Sequence, residues 1–406
     1  MKKSIGVITA LLITGGSDRL LDSIYSRFVK KGYSVTIYAA YPSKEGSVFI
    51  SAFRAKGIVI KTPPSFPRSI LLLLGLLLAT PLLVLYPFYS RFNRERVSQF
   101  YEYIFHFIER SLIDPVYQEL LYYRILVDQR KEKFSWISGY HYSIYPVLSK
   151  LKKNVSIPVY YTEISSPKGR VTSAGPRRQE IDINRFDKIF VPSSIIGKEL
   201  EVYENLKKEY FVIPFFVDLP KMTYLVPQYP AVTFGIIARL SPEKNLDFLI
   251  RSLTQIKNSN PSVRLVLVGS GPQDKELKKL AETLGVITSV KFISTFRDIR
   301  EIMKEIDIFT LCSDIEGMPL TLIEAMAYGK PILATPAGSI PEMVTEGCNG
   351  FMFTKEKPDD LIRFLRELIE DYEHYSRVSQ NSRKMFEQNY NPNHLFAKLL
   401  DECERA

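Results

Sequence analysis

The stretch IGVITALLITGGSDRLLDSIYSRFVKKGYSVTIYAA, residues 5–40, decides the fold class. Its apolar opening predicts a buried strand over 5–13, which a Gly-Gly turn ends. An amphipathic helix that begins at residue 17 or 18 and reaches Lys31 should follow, because apolar residues then recur at three- and four-residue spacing. Gly32 ends this helix, and YSVTIYAA predicts the next strand. Strand, helix and strand in this order form the βαβ unit of a parallel sheet.

A secretory signal peptide is the alternative interpretation of the N-terminus, because two lysines precede the apolar run. The βαβ pattern favours a strand instead, so we expect the first residues to belong to the mature fold.

Strands and helices alternate along the rest of the chain in two series. The stretch VDLPKMTYLVPQYPAV (217–232) separates them, and its prolines predict an interdomain linker. Further strands of the first series are predicted at 34–40, 58–61, 134–138, 158–162, 188–192 and 210–213. The second series has predicted strands at 232–238, 263–268, 289–293, 307–311, 331–335 and 350–353. Its predicted helices are 245–257, 273–284, 297–305, 319–328, 358–373 and 376–388. Two such series predict an α/β protein of two doubly wound, Rossmann-like domains facing across a cleft, at 1–219 and 220–390.

The amino-acid composition limits which classes of protein the chain can belong to. The chain has 406 residues, of which 46% are hydrophobic and 24% charged, as expected of a folded protein. Three widely spaced cysteines argue against a disulfide framework and a structural zinc site, and they favour a reducing compartment.

Positive charge is concentrated in the first half of the chain. Residues 1–219 contain 31 Lys/Arg and 19 Asp/Glu, whereas the remainder contains 23 and 25. Nucleic acid is not the expected partner, because neither basic clusters with interleaved aromatics nor a nucleic-acid-binding motif is present. An anionic membrane surface is the better prediction.

One apolar segment, SILLLLGLLLATPLLVLYPFYS (69–90), is long enough for a transmembrane helix. Strands predicted to share one sheet lie on both sides of it, so a single crossing would divide a domain. We therefore expect an interfacial, re-entrant or buried segment, and a peripheral, monotopic protein on the cytoplasmic face of the cell membrane.

The stretch FGIIARLSPEKNLDFLI (234–250) places charged side chains between a predicted strand and a predicted helix. Arg239, Glu243 and Lys244 then lie at the carboxyl end of the strand, where doubly wound sheets bind ligands. An arginine and a lysine beside a helix N-terminus suit a diphosphate, although a solvated turn is the commoner meaning of such a stretch alone. In LVLVGSGP (265–272), Gly269 and Gly271 follow another strand, and their lack of bulk would let a ligand approach the backbone.

The stretch SDIEGMPLTLIEAMAYGK (313–330) adds two carboxylates around a helix start. Pro319 suits the first turn, and the amides of Gly317, Met318, Leu320 and Thr321 should lack helical partners there. Glu316 precedes the helix and can accept from sugar hydroxyls, while Glu324 lies within it and can accept from the vicinal hydroxyls of a ribose. Either glutamate alone is more often a solvated helix residue. Together with Arg239 and Lys244 they predict a nucleotide-sugar site.

These motifs resemble, in order and spacing, the C-terminal domain of retaining family 4 glycosyltransferases of the GT-B fold. The segments that carry the resemblance are ARLSPEKNLDFL, VGSGP, SDIEGMPLTLIEAMAYGKPILAT and PAGSIPEMV, with Glu316 and Glu324 matching the E-x7-E pattern. The resemblance is specific over about 232–355 and looser over 1–219. It implies that Arg239 and Lys244 hold the donor diphosphate, Glu324 the ribose and Glu316 the transferred sugar. Gly15 and Gly16 would close on the phosphates, and a terminal helix at 391–406 would cross back to the N-terminal domain.

The sequence departs from that family at two places. The loop after the strand PVYYT reads EISSPKGR and has no histidine, so Glu163 and the nearest histidine, His141, become the acceptor-side candidates. A histidine beside aromatic residues is more often structural. The turn VIPFFVD has Phe215-Phe216 where the family usually has Asn-Gly.

The sequence contains no Asp-x-Asp motif and no His/Cys ligand cluster, which predicts a reaction without metal or cofactor. The expected activity is transfer of a sugar from a nucleotide sugar, with retention, to a lipid-linked or glycan acceptor in polysaccharide or glycolipid assembly. The resemblance implies front-face transfer, in which the leaving phosphate helps to deprotonate the acceptor. A glycogen-synthase-like glucan enzyme and a degenerate, non-catalytic subunit remain as alternatives. A phosphorylase would need a pyridoxal-phosphate lysine, which no motif marks.

Overall fold

The computed structural model describes residues 3–10, 16–40, 48–62, 114–173, 182–219, 233–295 and 298–405. Gly15, the apolar segment 69–90 and the linker beyond residue 219 lie outside these ranges. The chain divides into two compact units. The first takes in Met1–Asp18, Tyr25–Thr162 and Gln179–Ile189, and the second Arg19–Ile24, Glu163–Arg178 and Phe190–Ala406.

Two parallel sheets organise the described chain. The first has the strand order β3-β2-β1-β4-β5-β6-β7. Its strands are β1 (Ser4–Thr9), β2 (Ser34–Ala39), β3 (Val59–Lys61), β4 (Trp136–Tyr140), β5 (Val159–Thr162), β6 (Lys188–Val191) and β7 (Phe211–Val212). All six residues of β1 are buried, as expected of a parallel strand covered on both faces.

The second sheet repeats the same winding with the order β10-β9-β8-β11-β12-β13. Its strands are β8 (Thr233–Ile237), β9 (Arg264–Val268), β10 (Val290–Ile293), β11 (Ile308–Leu311), β12 (Ile332–Ala334) and β13 (Gly350–Met352). In register, Phe309 of β11 pairs with Gly235 of β8 and with Ile332 of β12. The two doubly wound, Rossmann-like sheets confirm the predicted fold class.

Helices connect the strands throughout. Those of the first half are α1 (Gly16–Lys30), α2 (Val48–Ala55), α3 (Asp114–Glu132), α4 (Tyr145–Asn154), α5 (Pro167–Ser173) and α6 (Ser194–Glu204). The second half contributes α7 (Leu246–Lys257), α8 (Asp274–Thr283), α9 (Ile299–Glu305), α10 (Leu320–Ala327), α11 (Ile340–Met343), α12 (Pro358–Glu370), α13 (Tyr372–Asn389) and α14 (Pro392–Glu404). Among the described residues, no helix is long and apolar enough to cross a membrane.

Most predicted elements match the observed ones to within about two residues wherever both are described. The helices predicted at 358–373 and 376–388 are observed as Pro358–Glu370 and Tyr372–Asn389, because Asp371 ends the first helix and caps the second by accepting from the His374 amide. The strand predicted at 134–138 is shifted to Trp136–Tyr140, and the strand that begins the chain ends at Thr9 rather than continuing to residue 13. The final helix is observed as Pro392–Glu404, and its Lys398 donates to the carbonyl of Val212 at 2.9 Å. The boundaries assigned to the two domains and the terminal helix stay predictions.

Strand order fixes where a ligand site belongs. In both sheets the winding reverses beside the first strand, between β1 and β4 and between β8 and β11. Doubly wound sheets bind ligands outside the carboxyl ends of the strands at such a switch point. The loops after β8 and β11 are the stretches that contain Arg239, Lys244 and Glu316.

Candidate functional site

The turn after β8 is fastened to the end of β11. It passes through a short 3-10 turn, Pro242–Lys244, and then Asn245 adopts a left-handed conformation with φ 47°. The side-chain amide of Asn245 donates to the Cys312 carbonyl at 2.9 Å, and Cys312 Sγ lies 2.9 Å from the Lys244 carbonyl. Cys312 is fully buried, and burial raises the pKa of its thiol. The two loops of the switch point are thereby held together.

Lys244 and Glu316 form the central contact of this site. Lys244 Nζ lies 2.6 Å from Glu316 Oε1, with 17% and 11% of the two side chains exposed. Limited exposure makes such a pair stronger than one on an open surface. The structure therefore brings together the residue predicted to bind the diphosphate, Lys244, and the residue predicted to bind the transferred sugar, Glu316.

Arg239 and Glu243 flank that pair. The Arg239 side chain is exposed and forms no hydrogen bond or close ion pair with the described residues, so it remains available to an anion. Glu243 accepts from Ser241 Oγ at 2.5 Å. Partial burial favours the neutral form of Glu243, but the Ser241 hydrogen bond and the charges of Lys244 and Arg239 outweigh it and lower the carboxyl pKa.

Gly269 and Gly271 are explained first by packing against backbone. A Cβ on Gly269, where φ is 137°, would lie 1.9 Å from the Ala238 carbonyl oxygen. A Cβ on Gly271 would lie 2.2 Å from the Leu240 carbonyl oxygen. No side chain fits at either position, so these glycines set the position of the loop that carries Arg239. Their contact with a ligand stays a prediction.

The start of α10 presents the predicted amides. Pro319 is the N-cap residue, with φ −72° and ψ 113°. Among the described residues no hydrogen bond uses the amides of Gly317, Met318, Leu320 or Thr321. An anion or a sugar hydroxyl can therefore meet unpaired donors there.

Gly317 is fixed from both sides. A Cβ would lie 2.4 Å from the Ile164 carbonyl oxygen, and the Gly317 carbonyl accepts from the Ser339 amide at 2.8 Å. The loop that carries Glu316 thus packs between the segments that contain Ile164 and Ser339, both in the same compact unit.

Glu324 lies in α10 with 1% of its surface exposed. Its Oε1 pairs with Arg19, and its Oε2 has no hydrogen-bond partner among the described residues. Burial raises the pKa of this carboxyl to about 7, even though the Arg19 guanidinium acts to lower it. An unsatisfied buried oxygen is costly, which is typical of a group that awaits a ligand.

His141 follows β4 and holds a strained turn. Its φ is 78°, and its Nδ1 lies 2.9 Å from Ser143 Oγ. Its ring packs on Tyr142 at 4.2 Å between centroids. A non-glycine residue in such a conformation often marks a functional site, but these contacts also explain the histidine as a turn-forming residue.

Glu163 is fully buried and engaged within its own loop. Its Oε1 accepts from the amides of Ile164 and Ser165, both at 2.9 Å. Its Oε2 pairs with Arg170 at 2.8 Å. These contacts give Glu163 a structural role in the loop that abuts Gly317, and its role towards an acceptor stays a prediction.

The remaining sequence-level observations have local explanations. Phe215 and Phe216, where the resembling family has Asn-Gly, are both buried, and the Phe215 amide lies 3.3 Å from Met318 Sδ. The departure is therefore a repacked turn beside the α10 start. Gly16 is the first residue of α1.

Sequence reasoning missed Arg19 and Glu342. Glu342 accepts from the amides of Ser194 and Ile195 and so caps α6 from another element. Arg19 carried a usable signal, because a basic residue in the first turn of a helix is disfavoured by the helix dipole. Such a residue calls for a distant anionic partner, which Glu324 supplies.

The region that carries this site is similar to known proteins. The family model described as glycosyl transferases group 1 matches residues 230–385. The Vi polysaccharide biosynthesis protein VipC/TviE of Salmonella typhi is 30% identical over 175 residues, covering 41% of this chain and 30% of that protein. A GDP-mannose-dependent monoacylated alpha-(1-6)-phosphatidylinositol monomannoside mannosyltransferase of Corynebacterium glutamicum is 29% identical over 180 residues, 39% of this chain and 46% of that one. These alignments span less than half of either relative.

Among solved structures, Anabaena HepE in complex with UDP superimposes with a TM-score of 0.71 over the whole of both chains, at 18% identity. That likeness establishes the GT-B fold.

Proposed function

We propose that this chain, whose residues 230–385 carry a domain of the glycosyl transferases group 1 family, moves a sugar from a nucleotide-sugar donor to an acceptor with retention of anomeric configuration. The observation that carries the proposal is the pair formed by Lys244 and Glu316 at the switch point of the second sheet, beside the unpaired amides of α10.

Three parts of a nucleotide sugar, namely the diphosphate, the ribose and the transferred sugar, each have a complementary group at this site. The diphosphate would lie against Arg239, Lys244 and the α10 amides, which supply positive charge where charge develops on the leaving group. The buried carboxylate of Glu324 would accept from the ribose hydroxyls. Glu316 would accept from hydroxyls of the transferred sugar.

The pairing of Lys244 with Glu316 gives the donor a defined entry step. A diphosphate that approaches Lys244 competes with Glu316 for the ammonium group. Once Lys244 turns to the phosphate, the Glu316 carboxylate loses its partner and can accept from a sugar hydroxyl. Both residues then change partners in one event, which favours the intact donor over either half alone.

Retention without metal is part of the proposal. Positive charge on Arg239 and Lys244 would replace a metal ion on the diphosphate. The leaving phosphate would assist in removing the proton of the acceptor hydroxyl, so no side-chain base is assigned. Turnover unaffected by EDTA, together with a product of the same anomeric configuration as the donor, is the expected result.

A lipid-linked or glycan acceptor at the cytoplasmic face of a membrane is the proposed setting. The named relatives support it, since one acts on a phosphatidylinositol mannoside and another serves polysaccharide biosynthesis. The basic first half of the chain and the apolar segment 69–90 support it as well. Helix α3, which follows that segment, exposes Val116, Tyr123 and Val127 at spacings that share one helix face.

Two alternatives make different predictions. A glucan-synthesising enzyme of the same fold would extend a soluble oligosaccharide without membranes. A non-catalytic subunit would bind neither the donor nor its nucleotide, or would bind without turnover.

The deciding experiment uses the purified full-length chain. Thermal unfolding is measured with UDP, GDP and ADP, and donor hydrolysis is then followed with the sugar nucleotides of whichever base stabilises the protein. Stabilisation by one nucleotide and slow donor hydrolysis that Lys244→Ala abolishes would support the proposal. Stabilisation by none of the three would overturn it.

A further inference from the structure

The guanidinium of Arg19 pairs with Oε1 of Glu324, and the two residues belong to one compact unit although 305 positions separate them in sequence. Arg19 is the fourth residue of α1, and 30% of its side chain is exposed against 2% for Glu324. The partner of Arg19 is thus the carboxylate assigned to the donor ribose.

Stability alone does not account for this pair. A cation near a helix N-terminus opposes the helix dipole. A buried ion pair recovers its desolvation cost only when the remaining polar atoms are also satisfied. Here Oε2 of Glu324 has no partner among the described residues, so that condition is not met.

We propose that Arg19 is a donor-binding residue that occupies the ribose position in the nucleotide-free protein and moves to the diphosphate when the donor binds. This inference rests on the proposed function. It adds to the site a residue from the first helix of the chain.

The chemistry of the exchange is complementary. A vicinal diol offers two O–H donors and can satisfy both oxygens of Glu324, whereas Arg19 satisfies one. The guanidinium released from Glu324 is a planar fork that matches phosphate oxygens in two parallel hydrogen bonds. One ligand therefore supplies both the group that displaces Arg19 and the group that receives it.

The backbone beside Arg19 is anchored, so a side-chain rotation is sufficient. Ser23 Oγ donates to the Arg19 carbonyl at 2.9 Å and accepts from the Asp218 amide at 2.9 Å. These two hydrogen bonds fix the turn of α1 that carries Arg19 while its partly exposed side chain changes partner.

The test compares a nucleoside with its diphosphate, because only the diphosphate can receive Arg19. Calorimetry at pH 8 measures uridine and UDP, guanosine and GDP, and adenosine and ADP against the unaltered protein, Arg19→Ala and Arg19→Lys. Arg27→Ala, on the same helix, is the matched control. We expect Arg19→Ala to bind the nucleoside several-fold more tightly, since no ion pair must be broken, and the diphosphate about tenfold more weakly. Arg19→Lys, which keeps the charge but not the fork, should fall between.

The outcomes distinguish a failure of this inference from a failure of the proposed function. If none of the three diphosphates binds the unaltered protein, the proposed function fails and the inference with it. If a diphosphate binds and Arg19→Ala weakens nucleoside and diphosphate equally, or neither, the inference alone is wrong.

Should Arg19→Ala unfold, the double variant Arg19→Ala/Glu324→Gln removes the unpaired carboxylate. It should bind the diphosphate about tenfold more weakly than Glu324→Gln alone. Equal affinity in those two variants would also overturn the role of Arg19.

Discussion

Lys244 Nζ lies 2.6 Å from Glu316 Oε1 although the two residues are 72 positions apart in sequence. One follows β8 and the other follows β11, so the pair spans the point where the second sheet reverses its winding. The fold thus places a cation and a carboxylate together where doubly wound sheets bind ligands. In the proposed function a sugar diphosphate separates this pair, and only two side chains need to turn because the fold already positions both loops.

Removing the positive charge should slow the transfer without unfolding the protein. Lys244→Ala and Arg239→Ala are each expected to reduce turnover on the order of 10² to 10³-fold, as for other preorganised donors to a developing charge. Steady-state donor hydrolysis and transfer measure this.

The control for these two variants is Lys291→Ala, which breaks an exposed ion pair of 2.7 Å with Glu305 in the same domain. It should leave the rate unchanged and alter stability by less than about 1 kcal/mol. Wild-type turnover in both Lys244→Ala and Arg239→Ala would show that the diphosphate lies elsewhere.

Substitutions of the two glutamates should affect different ligands. Glu324→Ala should weaken binding of the free nucleoside diphosphate, because its proposed partner is the ribose. Glu316→Ala should spare the free nucleotide and damage turnover of the intact donor. Titration of both variants with the nucleotide and with the sugar nucleotide decides the matter, and an equal loss of nucleotide affinity would refute the division.

Sequence periodicity predicted nearly every strand and helix because each element is defined by local spacing. The proximity of the loop that contains Glu316 to the turn that contains Lys244 was also predictable from the sequence, since parallel strands bring their carboxyl ends to one edge of the sheet. Contacts between segments that are far apart in sequence could not be predicted in this way. Neither the pairing of Arg19 with Glu324 nor the wedging of Gly317 against Ile164 has a periodic signal, and each joins segments well separated in sequence.

The contacts of a single carboxylate are also hard to predict from sequence. Glu163 was a candidate for the acceptor side because a histidine is missing from its loop. The structure shows its carboxylate turned back onto two amides and Arg170. An isolated carboxylate in a sequence does not indicate whether its loop or a ligand will satisfy it.

Asp18 should make stability fall as pH rises. It is fully buried, neither oxygen has a partner among the described residues, and burial raises its pKa from 3.8 to about 7. The folded state therefore binds a proton between about pH 4 and 7 that the unfolded state has lost, so the free energy of unfolding decreases across this window and levels above it.

Asp18→Asn keeps the shape of the side chain without the charge. It should raise the free energy of unfolding by up to about 4 kcal/mol at pH 8 and by almost nothing at pH 4, at ~1.4 kcal/mol per pKa unit. Denaturant unfolding at the two pH values measures the difference. Asp22→Asn, one turn along the same helix, is the matched control. An equal effect of Asp18→Asn at both pH values would mean that Asp18 does not carry the buried charge.

Membrane docking should depend on the apolar segment 69–90, which lies outside the described residues. Burial of its leucines contributes roughly 25 cal/mol per Å² of apolar area, and flanking arginines add roughly 1 kcal/mol each at an anionic surface. Replacing Leu72, Leu76 and Leu83 with serine should release the protein from anionic liposomes with nucleotide binding intact, whereas isoleucine at the same positions should retain it.

Two other outcomes of that experiment are informative. Unfolding of the serine variant would show that the segment is part of the core. Tags before residue 60 and after residue 100 that lie on opposite faces of the membrane would show that it crosses.

Gly338 tests whether the position of the Glu316 loop controls turnover. Its φ is 53°, and an added Cβ would lie 2.0 Å from the Glu316 carbonyl oxygen. Gly347 has a similar φ of 69°, but a Cβ there meets nothing within 4 Å. Alanine at either position therefore carries the same backbone strain, about 1 to 2 kcal/mol, and only Gly338→Ala also displaces the loop.

We expect Gly347→Ala to lower the melting temperature and leave turnover unchanged. Gly338→Ala should lower turnover at least tenfold beyond any loss of stability, because the displaced Glu316 carboxylate no longer lies where it can accept from the hydroxyls of the transferred sugar. Thermal unfolding and donor turnover, measured on both variants, separate the two effects. Equal turnover in Gly338→Ala and Gly347→Ala would mean that the site tolerates movement of Glu316, and the assignment of the sugar to that carboxylate would then be wrong.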